Sequence, residues 1–154
     1  YLSKTYFDTY AEINQVTVDL SQPFSFSLGF FKDVQFSTNG ILVDGASDNF
    51  IYSGNDEQMG VRIRTGSGNE INFDTTGIDR TIFHNYVVTY DGLTYKLYVD
   101  GEFLVNGSKL GTPSTLNLER FLGGHLIDNT LEGGIKYFRI FNTDLTEEEV
   151  KVLS

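Results

Sequence analysis

Two pairs of acidic residues have the spacing that could let their carboxyl groups cooperate in catalysis. Asp100 and Glu102 form one pair, and Glu147 and Glu149 form the other. Retaining glycosidases need two carboxyl groups about 5 Å apart, and residues i and i+2 of a strand share one face. The first pair flanks Gly101 in a predicted hairpin turn and the second opens a predicted helix, so neither lines a sheet. The sequence therefore predicts a protein that is not an enzyme.

Histidine and cysteine supply no further catalytic arrangement. The chain has no cysteine, and its two histidines are His84 and His125. An isolated histidine rarely marks a site without partner residues, so His84 is predicted to pack at the start of a strand. His125 is predicted to lie in a loop, where it is a candidate ligand-binding residue. The lack of cysteine also excludes a disulfide framework and a thiolate zinc site.

Oxygen-bearing side chains cluster in the stretch 40–59 and again at 128–129. Calcium takes several oxygen ligands from carboxylates, amides and main-chain carbonyls, so Ca²⁺ is the candidate cofactor. The candidate metal ligands are Asp44, Asp48, Asn49 and Asp128. Asp and Asn also populate turns because they accept awkward backbone angles, and this alternative stays open.

Tyrosines, amides and acids supply the chemistry for binding a sugar. Sugar rings have apolar faces and polar edges, so a glycan site combines aromatic rings with groups that form hydrogen bonds. Tryptophan is absent, but Tyr6, Tyr10 and Tyr52 do not follow the spacing of core residues. The candidate ligand-binding residues are Tyr52, Asn55, Asp56, His125 and Asn129.

The charge and the hydropathy of the chain exclude two classes of partner. The formal net charge is −10 at pH 7, and the 11 Lys and Arg residues are scattered. Nucleic-acid binding needs clustered basic residues, and no apolar run approaches the length of a membrane span. We therefore predict no nucleic-acid partner and no membrane insertion. The 154 residues suit one domain, predicted to span 1–154, and the start at Tyr1 suggests a piece of a larger protein.

The elements that must position these residues follow a period of two, which is typical of strands. Apolar residues alternate with small or polar residues over 24–30 and 61–64, and Tyr86, Val88 and Tyr90 share one face of a third run. Asp91-Gly92 and Asp100-Gly101 are turn pairs that divide three such runs into a meander. Many short strands separated by frequent turns predict an all-β, antiparallel two-sheet β-sandwich.

One short helix is predicted at the C-terminal end. Thr146 is a good N-cap, and Glu149 three residues later completes a capping box. Glu147 and Glu148 fall in the first turn, where the helix dipole favours negative charge. These acidic residues therefore have a structural explanation.

The meander and the segments after it resemble a known family. The runs 84–92 (HNYVVTYDG) and 96–101 (KLYVDG) resemble the central signature of laminin G-like domains of the concanavalin A-like lectin/glucanase superfamily. The run 121–124 (FLGG) resembles a short strand that ends in glycines. The run 134–141, followed by 145–150, resembles the closing strand and the small terminal helix of these domains.

The resemblance implies a concanavalin A-like jelly roll that acts as a non-catalytic recognition module. It implies binding of glycan, such as a cell-surface polysaccharide, and calcium on loops at one rim. Two positions depart from the family: His84 stands where Trp is usual, and Lys136 where an acidic residue is common. The superfamily includes glucanases, but their Glu-x-Asp-x-x-Glu strand is absent here.

The resemblance also suggests where the module works and leaves two alternatives open. The expected location is extracellular, on a cell surface or on a phage virion, in an adhesion role. One alternative is a structural or decoration domain that contacts protein subunits of a larger assembly. The other is a divergent glycoside hydrolase.

Overall fold

The computed structural model describes residues 2–3, 11–33, 40–45, 49–54, 61–121 and 133–154. The strands are β1 (Leu2–Ser3), β2 (Ala11–Asp19), β3 (Phe24–Lys32), β4 (Gly40–Asp44), β5 (Asn49–Ser53), β6 (Val61–Thr65), β7 (Glu70–Phe73), β8 (His84–Tyr90), β9 (Tyr95–Val99), β10 (Glu102–Asn106), β11 (Ser108–Leu110), β12 (Thr115–Phe121) and β13 (Gly133–Phe141). The helix is α1 (Glu147–Val152).

The strands form two sheets. A six-stranded sheet has the order β1-β13-β3-β8-β9-β10, and a seven-stranded sheet has the order β11-β7-β6-β5-β4-β12-β2. Neighbouring strands are antiparallel throughout. The prediction of an all-β antiparallel two-sheet β-sandwich with one short C-terminal helix is confirmed.

The core lies between the sheets and is built from alternate residues of the central strands. Phe26 and Phe30 of β3 are fully buried, and so are Ile63 of β6 and Ile71 and Phe73 of β7. Each such side chain contributes roughly 1.5–3 kcal/mol when it leaves water. The alternation predicted over 24–30 and 61–64 is confirmed, and the residues between these core positions face outward on both sheets.

Two Asp-Gly turns shape the meander β8-β9-β10, as predicted. In the first turn, the Asp91 carboxylate accepts hydrogen bonds from the N–H groups of Leu93 and Thr94, both at 2.8 Å. In the second turn, Asp100 has φ +50 and Gly101 has φ +84. Successive positive φ values are what a type I′ hairpin turn requires, so Asp followed by Gly suits this position.

The chain changes sheets at Gly107. β10 ends at Asn106 in the six-stranded sheet, and β11 begins at Ser108 in the seven-stranded sheet. A Cβ atom at Gly107 would lie 2.7 Å from the Phe73 ring and 3.0 Å from Cβ of Tyr95. The turn predicted at Asn106-Gly107 is thus a passage between the sheets that has no room for a side chain.

The helix α1 covers part of the outer face of the six-stranded sheet. Its capping box is present, because the Thr146 N–H donates to the Glu149 carboxylate at 2.8 Å and Thr146 Oγ1 accepts from the Glu149 N–H. Val150 is fully buried and packs against Val87 and Tyr98 of the sheet. Among the described residues, no helix is long and apolar enough to cross a bilayer.

Candidate functional site

The outer face of the seven-stranded sheet carries a group of charged, aromatic and amide side chains. Val61, Ile63, Ile71 and Phe73 belong to the core, so the residues between them on β6 and β7 point away from it. The register of β5 with β6 adds two aromatic residues to this outward set. We call the set the arginine face, and it consists of Phe50, Tyr52, Arg62, Arg64, Glu70 and Asn72.

The strand register arranges the arginine face in two rows that cross the strands. Arg64 lies opposite Phe50 on one side and Glu70 on the other. In the next row, Arg62 lies opposite Tyr52 and Asn72. Residues directly opposite each other in an antiparallel pair have their Cβ atoms about 4.5–5.5 Å apart, so each arginine is flanked by a ring and by a polar group.

The two arginines extend over the two rings. The guanidinium carbon of Arg62 is 5.3 Å from the centroid of the Tyr52 ring, and that of Arg64 is 5.4 Å from the centroid of Phe50. The rings meet edge to face at 5.1 Å. A cation over an aromatic face is attracted by the ring quadrupole, so this packing fixes the arginines above the sheet.

Each arginine also has an oriented polar partner on the same face. Arg62 donates a hydrogen bond from Nη1 to the Tyr52 hydroxyl at 3.1 Å. Burial raises the pKa of Tyr52, and the hydrogen bond and charge of Arg62 oppose that shift. Arg64 Nε lies 3.7 Å from the Glu70 carboxylate, and the two side chains are 27% and 17% exposed. Ion pairs close to the surface add about 0–1 kcal/mol, so the main effect of this half-buried pair is orientation.

Two buried cations fix the end of β5 next to Tyr52. Arg80 and Lys32 are both fully buried. Arg80 Nη1 donates to the Gly54 carbonyl at 2.7 Å and to Ser53 Oγ at 3.2 Å, and Lys32 Nζ donates to the Gly54 carbonyl at 3.3 Å. Buried charges need such partners, because burial of an unpaired one is costly. The pair therefore ties β3 and the 74–83 loop to the end of β5.

The predicted site residues fall into two groups. Tyr52, Asn49 and Asp44 are described by the structure, although of Asp44 only the backbone is described. The predicted site residues outside the described part of the chain are Asp48, Asn55, Asp56, His125, Asp128 and Asn129. Tyr6 and Tyr10 also lie outside it. Roles for these residues in ligand or calcium binding stay predictions.

The described candidates occupy different positions on the seven-stranded sheet. Tyr52 lies outside the core cluster, as its spacing indicated, but it is only 5% exposed. Neighbouring side chains on the outer face cover the Tyr52 ring, and a role for Tyr52 in ligand binding stays a prediction. Asn49 is buried, and its side-chain oxygen accepts a hydrogen bond from the Asn117 N–H at 3.2 Å. The backbone of Asp44 pairs with Phe50 and Arg120, in line with the row of Arg64.

Sequence reasoning missed Arg62, Arg64, Glu70 and Asn72 as functional candidates. The sequence showed the two arginines only as the outward half of an alternating strand. A usable signal was present, since two like charges at i and i+2 share one face of a strand. Their aromatic partners on β5 could not be assigned without the strand register.

His84 and Asp100 together support the second turn of the meander. His84 Nδ1 lies 2.5 Å from the Asp100 carboxylate, and His84 Nε2 lies 3.0 Å from the Asp79 carbonyl. The other Asp100 carboxylate oxygen accepts from the Asn85 N–H at 2.8 Å. The prediction that His84 packs at the start of a strand is confirmed, because its side chain is 14% exposed.

The predicted structural explanation of the acidic pairs also agrees with the geometry. Asp100 is occupied by the turn described above, and Glu149 closes the capping box of α1. Within the described ranges, no three His, Asp or Glu side chains are grouped so that they could hold a metal ion. Calcium binding stays a prediction.

A family comparison assigns the fold to a superfamily. A model of a laminin G-type family, described as the concanavalin A-like lectin/glucanases superfamily, matches residues 4–151. The chain belongs to this superfamily. The resemblance predicted from the meander, the closing strand and the terminal helix is thereby confirmed. Among curated proteins, no sequence matches this chain.

Solved structures share this concanavalin A-like fold at low sequence identity. Domain 4 of AbnA, an extracellular GH43 arabinanase from Geobacillus stearothermophilus solved with arabinotriose, has a TM-score of 0.59 at 16% identity, covering 88% of this chain and 69% of that chain. A putative carbohydrate binding protein from Bacteroides ovatus has a TM-score of 0.60 at 15% identity, covering 91% of this chain and 44% of that chain. Botulinum neurotoxin type C, whose cell entry is described as dependent on two ganglioside molecules, has a TM-score of 0.62 at 16% identity, covering 90% and 39%.

Proposed function

We propose that this chain is a non-catalytic recognition module that binds glycan on the arginine face. The observation that carries the proposal is the oriented Arg64–Glu70 pair beside the Asn72 amide, on a sheet surface that α1 does not cover. Membership of a lectin/glucanase superfamily supports it. Fold neighbours described with arabinotriose, carbohydrate and gangliosides support the ligand class.

The chemistry of the arginine face suits a ligand rich in hydroxyl groups. A carboxylate only accepts hydrogen bonds, a guanidinium only donates them, and an amide does both. A sugar hydroxyl also donates and accepts, so the Glu70 carboxylate can accept a hydrogen bond from it and the Arg64 guanidinium can donate one to it. Because the contacts with Phe50 and Tyr52 already hold the arginines in place, little ordering entropy is lost on binding.

A glycan array, followed by calorimetric titration of the best ligand, tests the proposal. The test variant is Glu70→Ala with Asn72→Ala, which removes an acceptor and an amide from the arginine face. We expect its affinity to fall about tenfold or more. The control is Glu102→Ala with Asn106→Ala on β10, where both side chains are exposed.

The outcomes of this experiment separate the alternatives. Flat responses across the array from folded protein contradict glycan binding. Equal affinity of the two double variants contradicts the placement of the site on the arginine face. Repeating the titration with calcium and with a chelator tests the predicted cofactor. Release of reducing sugar from the bound polysaccharide would favour the hydrolase alternative.

We further propose that the module works outside the cell as one part of a longer protein, on a cell surface or a virion. The supporting observation is that the chain spans 69% of the arabinanase domain but only 44% and 39% of the next two fold neighbours named above. The sequence that flanks the domain in its gene would test this context. A cytosolic enzyme around the domain would contradict it.

A groove beside α1 favours a second candidate function, the binding of a protein partner. The groove has a volume of about 370 Å³, and its apolar lining comes from Phe141, Leu145, Val152 and Leu153. Val152 is 84% exposed, and exposed apolar patches often mark protein contacts. Light scattering of the wild type and of Val152→Glu tests this function. The function is contradicted if both proteins are monomers and if no partner binds the wild type in a way that Val152→Glu abolishes.

A further inference from the structure

We propose that the arginine face selects acidic glycans, whose sugars carry carboxylate or sulfate groups, over neutral ones. The inference rests on the proposed function and specifies its ligand class. It follows from what the arginine face exposes, how its charge compares with that of the whole chain, and how the two guanidinium groups are held.

The aromatic rings of the arginine face are not available for stacking on a sugar. Tyr52 is 5% exposed although it lies on the outer side of the sheet. Arg62 covers its ring and also bonds its hydroxyl, and Arg64 extends over Phe50. A neutral glycan site normally offers an open aromatic platform. On the arginine face, the guanidinium groups of Arg62 and Arg64 lie over the two rings, so a ligand contacts these groups first.

The positive charge at this place contrasts with the acidity of the chain. The formal net charge is −10, yet Arg62 and Arg64 stand side by side at i and i+2 on one face of β6. The row of Arg64 continues through the backbone of Asp44 to Arg120 on β12. The six residues of the arginine face carry two guanidinium groups and one carboxylate, that of Glu70, so an anionic ligand meets a local excess of positive charge there.

The two guanidinium groups are fixed in a way that suits an oxyanion. Arg64 is oriented by Glu70 at 3.7 Å and remains 27% exposed. Arg62 is oriented by the Tyr52 hydroxyl at 3.1 Å. A planar guanidinium presents paired N–H donors that match the paired oxygens of a carboxylate or a sulfate. In the alternative case, the arginine side chains only shield the two rings from water. The protein would then bind charged and neutral glycans with equal affinity.

Calorimetric titration with oligogalacturonate, with its methyl ester and with a sulfated galactan tests the selectivity. The ester keeps the sugar chain and removes only the negative charge. We expect the ester to bind about tenfold more weakly than the free acid. We also expect binding of the acid to weaken between about 0.05 M and 0.5 M NaCl, because salt screens charge pairs.

Variants assign the effect to the arginines. Arg62→Gln with Arg64→Gln should remove the preference for the acid over the ester. Arg139→Gln is the matched control, since Arg139 stacks over Tyr137 at 4.5 Å on the other sheet, and it should leave the preference intact. If the double glutamine variant unfolds, Arg62→Lys with Arg64→Lys keeps the charge, and we expect it to keep the salt dependence while it loses affinity.

The outcomes distinguish this inference from the proposed function. Tighter binding of the galacturonate or of the sulfated galactan than of the ester supports the inference and tells which anion fits better. Equal binding of acid and ester without salt dependence, or tight binding of neutral glycans alone on the array, overturns the acidic selectivity and leaves glycan binding standing. No binding to any charged or neutral glycan overturns both.

Discussion

The outer faces of the two sheets both carry an arginine stacked over a tyrosine, in different surroundings. On the seven-stranded sheet, Arg62 lies 5.3 Å from the centroid of Tyr52 and donates to its hydroxyl. On the six-stranded sheet, Arg139 lies 4.5 Å from the centroid of Tyr137, whose hydroxyl donates instead to the Asn85 side chain. One tyrosine hydroxyl therefore orients its arginine, and the other bonds across β3 to a residue of β8.

The surroundings of the two pairs explain why we place the site on one face only. Beside Arg62 lie a second arginine, a carboxylate and an amide, all aligned by the strand register. Beside Arg139, the sheet is partly covered by α1, because Val150 packs on Val87 and Tyr98. The helix α1 thus covers part of one outer face, whereas oriented polar groups occupy the other.

The largest effect is expected from a substitution of Arg80, which holds the end of β5 next to the arginine face. Arg80→Ala should lower the free energy of unfolding by about 3 kcal/mol, because it leaves a cavity and removes the bonds to Gly54 and Ser53. Urea denaturation followed by circular dichroism measures the change. The control Arg139→Ala removes an exposed arginine and should change stability by about 0.5 kcal/mol or less. Similar losses in both variants would mean that Arg80 does not support β5.

The next effect concerns the outer face of the six-stranded sheet, which α1 partly covers and which we call the covered face. Val150→Ala should cost about 2 kcal/mol, because the fully buried side chain loses two methyl groups from its contact with Val87 and Tyr98. Val152→Ala, on the same helix but 84% exposed, should be close to neutral. Glycan affinity should be unchanged in both variants. A loss of affinity in Val150→Ala would show that the two faces are not independent.

A paired substitution of the two tyrosines compares the faces directly. Tyr52→Phe removes the acceptor of the Arg62 hydrogen bond, which should cost about 1 kcal/mol of stability and weaken glycan binding about threefold. Tyr137→Phe removes the bond to Asn85 and should leave binding unchanged. Thermal unfolding and calorimetric titration measure the two quantities. If only Tyr137→Phe weakened glycan binding, the glycan site would lie on the six-stranded sheet.

Features that depend on neighbours in sequence could be predicted. The turn at Asp100-Gly101 follows from two residues that accept positive φ, and the capping box follows from Thr146 and Glu149 at a fixed spacing. The alternation of Ile63 with Arg62 marked a strand with one buried side. These signals need no knowledge of which strands lie side by side, so the sandwich and its closing helix could be derived from them.

Features that depend on register and burial could not be predicted. Arg62 meets Tyr52 only because β6 pairs with β5 in one register, and a shift of one residue would turn either side chain to the core. Lys32 and Arg80 are fully buried, whereas residues of their types are almost always exposed. Nothing adjacent in sequence reveals that both converge on the Gly54 carbonyl.

The smallest effect is a pH-dependent contribution from the helix on the covered face. The N–H of Thr146, followed by its side chain, holds the pKa of the Glu149 carboxyl below its usual value. A carboxyl group with a lowered pKa in the folded state stabilises the protein above its unfolded pKa of about 4.3 and loses that contribution as the pH falls below this value. Wild type should therefore exceed Glu149→Gln in melting temperature at pH 7.

Acid should remove this advantage, so that the two melting temperatures converge as the pH falls through the lowered pKa of Glu149 in the folded protein. Glu148→Gln is the control, because Glu148 lies in the same turn of α1 but has no part in the capping box. Its melting temperature at pH 7 should fall less than that of Glu149→Gln, because it keeps the capping box and loses only a charge near the helix N-terminus. A constant difference between wild type and Glu149→Gln from neutral to acidic pH would show that the carboxylate charge does not stabilise the cap. The covered face would then depend on the packing of Val150 and not on the start of its helix.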